Sequence, residues 1–369
     1  MIEVIWTKKI LDKKGKTIGY ALQDINGNVQ EIKLNELKKE IHNNQIAVLN
    51  LKLTSNNQLR ELGWGDYVKR AAKIQTIQKK GKLGNPTDQE MHNMIVRAKI
   101  LGLPIEEMTT ACGGKCYLIH KTRNEHIVII PSTVAVLNGD RKHQQFTTHI
   151  RKLTGKISIW GGCNLLYTYC MFRRCIASEL DLTHFNTSSI SNMNYMFEHC
   201  EAKSINFTNF DTSNVECMNG MFEFCSTPEL NLSNFNTSKV ENMGNMFLAS
   251  RTTKINLSNF NTSNVEKMDC MFEHCQAEKL DLRSFNTSKV KDMSRMFNQC
   301  KADYIDVSSF DTTNVEDWNS MFGDCRANKL DLRSFKIEHI GNYMETMFSG
   351  CKSSIQATDQ TLIEMYEYR

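Results

Sequence analysis

The second half of the chain has a hydrophobic pattern that repeats with a period of about 25 residues. A Met-Phe pair marks the period, and its methionines are Met171, Met196, Met221, Met246, Met271, Met296 and Met321, followed by Met347 after a step that is one position longer. A fixed period of this length is typical of a solenoid, in which each unit packs only on its neighbours. The pattern therefore predicts a stack of short units over residues 151–352.

Each repeat combines two hydrophobic periodicities. A triplet such as Leu280-Asp281-Leu282 alternates apolar and polar residues, which predicts a short half-buried strand. In the other part of the repeat, Val215, Met218, Met221 and Phe222 follow helical spacing. The two halves together predict an α/β leucine-rich-repeat solenoid with one short parallel strand and one helix in each repeat.

Polar residues recur at fixed positions of the repeat as well. Ser213 and Glu216 have the spacing of a helix-capping box, and the same spacing returns in later repeats, which predicts that a helix begins there. The position between the strand leucines is almost always Asp or Asn, from Asp181 to Asp331. This uniformity predicts a ladder of side-chain hydrogen bonds between turns.

The repeats resemble the BspA-like leucine-rich repeats. The resemblance rests on runs such as Phe210-Asp211-Thr212-Ser213-Asn214-Val215, followed by Met218, Met221-Phe222 and Cys225, and it covers about residues 157–352. It implies a curved solenoid of strands and helices that is used for protein or cell-surface interaction, commonly on bacterial surfaces. Residues 353–369 are expected to form a C-terminal cap.

Seven cysteines occupy one slot of the repeat, which Ser250 fills once. A single slot means a single environment, and a buried reduced cysteine packs as a small apolar side chain; stacked disulfides are the alternative. The first residues of the chain lack an apolar signal core, and no stretch approaches the roughly 18 apolar residues of a membrane span. We therefore expect reduced cysteines and a cytoplasmic protein.

Residues 1–150 contain no repeat and differ in charge from the solenoid. Residues 1–160 hold 26 Lys and Arg against 14 Asp and Glu, whereas residues 161–369 hold 19 against 27. A hairpin from Gly19 to Ile32 and a helix that begins at Thr87 are predicted by turn and capping signals. The sequence thus predicts a basic α+β N-terminal region, with 1–60 and 61–150 as candidate subunits.

A basic cluster in this region supports an alternative function. Its residues are Lys69, Arg70, Lys73, Lys79 and Lys80. Such a cluster can neutralise nucleic-acid phosphates, although a solvated basic face without a partner is commoner. The alternative is a nucleic-acid-associated regulator that docks through the basic half.

One constellation contains zinc-ligand residue types. It consists of Cys112, Cys116, His120 and His126, but only three residues separate Cys116 from His120, which is far from zinc-finger spacing. A metal site here is a weak candidate, and an enzyme hosted by the N-terminal half is a third class of function. No cofactor and no small-molecule substrate are expected.

The solenoid strands offer the strongest candidate surface. Because side chains alternate along a strand, the residues flanking the leucines should face solvent. These flanking positions vary from repeat to repeat, and Tyr and Arg are common anchors of protein interfaces. We therefore predict a non-catalytic interaction protein whose solenoid binds a protein partner through Lys279, Arg283, Tyr304, Lys329 and Arg333.

Overall fold

The backbone of the chain forms two compact units. A computed structural model describes residues 2–11, 17–24, 29–33, 46–48, 86–110, 114–134, 137, 145–339 and 344–369. Unit 1 comprises Met1–Glu106 and Ile119–Lys121, and unit 2 comprises Glu107–Leu118 and Thr122–Arg369. The repeats lie in unit 2.

Four strands of unit 1 form one sheet of order β3-β2-β1-β4. They are β1 (Ile2–Leu11), β2 (Thr17–Asp24), β3 (Val29–Lys33) and β4 (Ile46–Val48). Strand β2 pairs antiparallel with both β1 and β3, and β4 runs parallel to β1. The pairing of β2 with β3 confirms the predicted hairpin.

Helix α1 of unit 1 (Asp88–Ile100) begins at the predicted capping box. The Thr87 hydroxyl accepts a hydrogen bond from the backbone N–H of Glu90 at 3.2 Å, and the Glu90 carboxylate accepts one from the backbone N–H of Thr87 at 2.8 Å. Two of the unpaired N–H groups at the start of the helix are thereby satisfied. Met91 and Ile95 lie on its buried face, as the apolar spacing predicts.

A six-stranded sheet in sequence order leads into the repeats. Its strands are β5 (Ile105–Thr109), β6 (Lys115–Thr122), β7 (Glu125–Ile130), β8 (Lys156–Gly161), β9 (Glu179–Phe185) and β10 (Ile205–Asn206), and helix α2 (Gln145–Ile150) lies between β7 and β8. Strands β7 to β10 pair parallel in sequence. The last strands of this sheet are therefore already the first strands of the solenoid.

The repeats form a β-solenoid of about eight turns with little helix. The later turns each contribute one strand of three residues: β11 (Glu229–Asn231), β12 (Lys254–Asn256), β13 (Lys279–Asp281), β14 (Tyr304–Asp306), β15 (Lys329–Asp331) and β16 (Ser354–Gln356). These strands pair parallel two by two, β11 with β12, β13 with β14 and β15 with β16. We call each turn, which is one repeat of the sequence, a coil.

The prediction of an α/β solenoid with one helix per repeat is wrong, because the residues assigned to that helix form consecutive tight turns. The N–H groups of Met218, Gly220, Phe222 and Phe224 donate to carbonyl oxygens of the next coil at 2.8–3.0 Å. The intervening N–H of Met221 donates to Met218 at 3.2 Å. An α-helix would direct every one of these donors to the residue four positions earlier.

Left-handed residues explain why helical spacing misleads here. Gly220 has φ of 60° and Phe224 has φ of 53°, and a residue with positive φ recurs at these two positions in other coils. Non-glycine residues seldom adopt this conformation, and an α-helix does not contain it. The turns nevertheless keep Met218, Met221 and Cys225 fully buried. A buried face with helical spacing is thus produced without a helix.

The predicted capping box is replaced by a different arrangement. The backbone N–H of Ser213 donates to the Asp211 carboxylate at 2.9 Å, which makes an Asx turn. The backbone N–H of Glu216 donates to the Ser191 carbonyl of the preceding coil at 2.9 Å. The hydroxyl-rich segment therefore marks a turn between coils and not the start of a helix.

The Asp and Asn column between the strand leucines also acts mainly within its own coil. The Asn206 side-chain oxygen accepts hydrogen bonds from the backbone N–H and hydroxyl of Thr208 at 3.1 and 2.6 Å. A link between coils is present at Asn256, whose amide lies 3.4 Å from the Asn231 side-chain oxygen. The predicted ladder between turns is thus largely a series of Asx turns.

The core consists of identical residues stacked from coil to coil. The rings of Phe222, Phe247, Phe272 and Phe297 are nearly parallel, with centroids 5.5–5.7 Å apart along the stack. Burial raises the pKa of the Cys275 thiol to about 12. The cysteine slot is buried throughout, as its single position in the repeat predicts, and reduced thiols stay a prediction: Cys175, Cys200, Cys225, Cys275, Cys300, Cys325 and Cys351.

A buried threonine column joins successive coils. The Thr262 hydroxyl donates to the Asn286 carbonyl at 2.8 Å and accepts a hydrogen bond from the Asn286 backbone N–H at 2.8 Å. One hydroxyl thus satisfies both polar groups of a residue in the next coil, which otherwise would be unpaired. The column comprises Thr187, Thr212, Thr237, Thr262, Thr287 and Thr312.

Helix α3 (Gln360–Glu367) packs on the last coil. Leu362 is fully buried, and the Tyr366 ring lies edge-on to Phe348 with centroids 5.6 Å apart. The Tyr366 hydroxyl also donates to the Ser353 carbonyl at 2.8 Å. Because the last coil of a solenoid has no successor, such a segment covers the apolar surface that would otherwise face water.

The stacked phenylalanines generate a prediction for stability. Phe272→Ala removes a fully buried ring with a neighbour on each side, so we expect a loss of about 3–5 kcal/mol in the free energy of unfolding, measured by denaturant titration. Phe224→Ala is the matched control, because this side chain is 41% exposed, and it should cost below about 1 kcal/mol. Equal losses for the two variants would contradict the assigned core.

The threonine column generates a second prediction. Thr262→Val keeps the shape but leaves the Asn286 carbonyl and N–H without their partner, so we expect a loss of about 2–4 kcal/mol in the free energy of unfolding. Thr262→Ser retains the hydroxyl and should lose clearly less. If valine and serine were equally well tolerated, the hydroxyl would have no role in coupling the coils.

Candidate functional site

The outward positions of the short strands form one exposed surface, which we call the strand face. It consists of the first and third residues of β11 to β16 and the residue two positions after each strand. On β13 the Leu280 side chain is 1% exposed whereas Lys279 is exposed, which confirms the predicted alternation. All five predicted partner-binding side chains are exposed on this face: Lys279, Arg283, Tyr304, Lys329 and Arg333.

Tyr304 lies at the centre of these residues and is held in place by its neighbours. It pairs with Lys279 in the β13–β14 ladder, and the Lys279 ammonium lies 4.7 Å from the centre of its ring. The Tyr304 hydroxyl donates to the Asp306 carboxylate at 2.9 Å, and this hydrogen bond raises the pKa of the hydroxyl. The ring is still 45% exposed, so it offers an ordered aromatic surface to solvent.

Each of the two arginines forms a bidentate ion pair within its own coil. The Arg283 Nε and Nη2 donate to the Asp281 carboxylate at 2.8 and 2.6 Å, and the same atoms of Arg333 donate to Asp331 at 2.8 and 2.5 Å. The hydrogen bonds from Arg333 lower the pKa of Asp331 to about 2. Two of the five N–H donors of each guanidinium are thereby used.

These two ion pairs belong to identical segments of sequence. Residues 279–285 and residues 329–335 both read Lys-Leu-Asp-Leu-Arg-Ser-Phe. Since each coil is one repeat of the sequence, the segments lie two coils apart with the coil of Tyr304 between them. The strand face therefore presents the same basic group twice, on either side of an aromatic ring.

A shallow groove crosses the strand face between β12 and β13, where the hydrogen-bonded ladder is interrupted. Two adjoining hollows of about 310 and 340 Å³ share the lining residues Ile255, Asn256 and Asp281. Ile255 is half-buried, whereas its counterparts Leu230 and Leu280 are buried. The groove therefore adds a small apolar floor to an otherwise polar surface.

The strand face is mixed in charge. Beside its five cationic side chains it carries the exposed Glu229 and three carboxylates that are already engaged: Asp281 and Asp331 with the arginines, and Asp306 with Tyr304 and Ser308. Lys254 and Lys329 make no ion pair with any residue that the structure describes. The three aspartates were not predicted as site residues, because the uniform Asp and Asn column gave a structural interpretation instead, and Lys254 was not predicted either.

Three of the four weak metal candidates lie in the part of the chain that the structure describes. Cys116 lies on β6 and is fully buried in the hydrophobic core, and the His126 Nε2 lies at hydrogen-bonding distance, 3.0 Å, from the Thr154 carbonyl. The His120 Nε2 lies 3.2 Å from Glu106, and Cys112 lies outside the described residues. Within the described ranges, no group of three or more His, Cys, Asp or Glu could hold a metal ion.

The basic cluster of the alternative function lies outside the described residues, so docking on nucleic acid stays a prediction. The cluster comprises Lys69, Arg70, Lys73, Lys79 and Lys80. Across the part of the chain that the structure describes, no helix is both long and apolar enough to span a membrane.

The repeats match one family of proteins. The family model is described as "Mycoplasma protein of unknown function, DUF285", and it matches residues 143–256, 166–283 and 247–361. The overlapping matches together cover residues 143–361, which is more than half of the 369 residues. Comparison with curated proteins and with solved structures gave no match.

The Asp331–Arg333 pair generates a prediction for pH dependence. The folded pKa of Asp331 is about 2 and its ordinary value is 3.8, so the pair stabilises the fold above about pH 4, and its contribution is lost as the pH falls through 2. We expect an NMR titration of the Asp331 carboxyl to show this low pKa and Arg333→Ala to return it towards 3.8. An unchanged pKa in that variant would contradict the ion pair.

Proposed function

We propose that the chain, which belongs to the DUF285 family, is a non-catalytic interaction protein whose solenoid binds a protein partner through the strand face. The observation that supports this proposal is the ordered group formed by Lys279, Tyr304 and Arg283 on an exposed surface. Tyr and Arg are the residues most enriched at the energetic centres of protein interfaces. The repeats are also compatible with the BspA-like resemblance, which implies the same kind of function.

The key side chains of the strand face are already held in place in the unbound protein, which favours a role in binding. Association normally costs about 0.5–1.5 kcal/mol for each flexible side chain that becomes fixed at an interface. The Tyr304 hydroxyl is bonded to Asp306, and both arginine side chains are fixed by bidentate pairs. These side chains are already restrained before a partner arrives, so less of the interaction free energy is lost on binding.

The architecture supports the proposal on a larger scale. A solenoid stacks its units in one direction and so presents a long regular surface without needing a cavity. The two hollows at the β12–β13 junction are shallow and open, and they are lined by residues such as Ile255, Asn256 and Asp281. A surface of this kind suits contact with a macromolecule better than enclosure of a small substrate.

The proposal can be tested with the full chain as bait and a lysate of the source organism. The strand-face variant combines Arg283→Ala, Tyr304→Ala and Arg333→Ala. The matched control combines Glu241→Ala, Lys267→Ala and Glu316→Ala, three exposed positions outside the strand face. Quantitative mass spectrometry should find proteins that the parent and the control enrich and the strand-face variant does not.

The captured protein is then purified, and its dissociation constant is measured with each variant. Loss of an aromatic and two arginine anchors should weaken binding at least about tenfold, while the control variant should bind as the parent does. If the strand-face variant keeps its fold by circular dichroism and binds the partner as tightly as the parent, the proposed site is wrong.

A further inference from the structure

The spacing of the coils defines what kind of partner fits the strand face. Stacked rings in successive coils have centroids 5.4–6.4 Å apart, as measured from Phe297 to Phe322 and from Phe285 to Phe310, and hydrogen-bonded strands lie about 4.8 Å apart. The strand face lies on the strands themselves, so its chemical groups repeat at about 4.8 Å along the solenoid axis, slightly less than the rings of the core. The twin Lys-Leu-Asp-Leu-Arg-Ser-Phe segments, two coils apart, are separated by twice that distance.

An α-helix has a similar repeat distance. Its pitch is about 5.4 Å, so residues i, i+3 or i+4, and i+7 of one helix face are spaced by one and two turns. Two turns of helix measure about 10.8 Å, which is close enough to the roughly 9.6 Å of two coils for flexible Lys and Arg side chains to reach both positions. A polyproline II helix repeats at about 9.3 Å and also matches two coils, but with three residues per turn it presents no residue of the same face to the middle coil. An extended strand advances about 6.7 Å between residues of one face, which matches neither one coil nor two.

Basic and aromatic side chains alternate along the axis of the strand face. Lys279 and Arg283 lie in one coil, the Tyr304 ring in the next, and the identical pair Lys329 and Arg333 in the third. The order is basic, aromatic, basic. Because the nearby carboxylates are bound by their own arginines and by Tyr304, the groups left to meet a partner are mainly N–H donors and a ring.

We propose that the strand face binds an amphipathic α-helix that runs along the solenoid axis, with acidic residues at positions i and i+7 and an apolar residue at i+3 or i+4. The acidic residues meet the two basic pairs, and the apolar residue packs on Tyr304. This inference rests on the proposed function and names the class of partner segment. Helices that bind grooves use the same i, i+3/i+4, i+7 anchors.

The probe is a fluorescein-labelled, Ala-rich peptide of about 20 residues, long enough to be helical, with Glu at i and i+7 and Leu at i+3 and i+4. Fluorescence anisotropy with the full chain measures its dissociation constant. Three peptides of equal length serve as comparisons: one with the second Glu moved to i+5, one in which the Glu at i+7 and the Leu at i+4 exchange places, and one rich in proline. We expect the i, i+7 peptide to bind at least tenfold more tightly than each of them.

A change of spacing without a change of composition gives the sharpest variant. Ser308→Arg with Arg333→Ser moves the second guanidinium by one coil within the same exposed column, so that it lies one coil from Arg283 instead of two. This variant should lose about tenfold in affinity for the i, i+7 peptide and gain affinity for the i, i+4 peptide. Tyr304→Ala should weaken both, and Lys267→Ala should leave both unchanged.

Three results would overturn the helix proposal. The first is equal binding of the i+5 peptide, which would mean that charge alone is recognised, the second is equal or tighter binding of the proline-rich peptide, and the third is no binding of the i, i+7 peptide. The peptide experiment and the capture experiment test different claims. If a protein is captured through the strand face but no helical peptide binds, the proposed function holds and only the helix proposal fails. Absence of peptide binding, in turn, would exclude the helix and leave the capture experiment to decide on a partner.

Discussion

Hydrogen bonding from coil to coil, in register, is the constraint on which the rest of the structure depends. The N–H groups of Met218 and Phe222 have their acceptors in the next coil, and the Thr262 hydroxyl satisfies both backbone groups of Asn286. A single coil therefore cannot satisfy its own polar groups. The same register aligns like side chains, so the ring of Phe272 can stack on those of Phe247 and Phe297.

The sequence predicted the period, the buried positions and the strands, because each depends on which residues repeat. The predicted helix was wrong, because the spacing of buried residues indicates which side chains face the core but does not indicate which acceptors the backbone N–H groups bind. Left-handed residues such as Phe224 and His274 turn the chain without changing that spacing, and Phe and His are not residue types that predict a positive φ. The hairpin and the α1 capping box were predictable because their signals are local.

The candidate site was predictable only in outline. Strand alternation identified Arg283 and Tyr304 as exposed, since it requires nothing beyond the leucine pattern. The pairing of Arg283 with Asp281 depends on the turn that follows the strand, and the groove at Ile255 depends on an interrupted ladder. The first is a contact within one coil and the second a contact between coils, and both depend on three-dimensional geometry that the pattern of repeated residues does not contain.

Side-chain contacts between coils alternate in one polar column of the solenoid. The Lys239 ammonium donates to Asn214 at 2.7 Å, and Lys289 donates to Asn264 at the same distance, so Asn and Lys alternate in one column. The strands pair across a different boundary, β11 with β12 and β13 with β14. Alternation in one column therefore does not impose alternation on another: residues 229–235 read Glu-Leu-Asn-Leu-Ser-Asn-Phe, so the basic segment does not recur two coils before residues 279–285. The identical basic segments on either side of Tyr304 are thus a feature of these particular repeats, because the backbone of the solenoid does not require them.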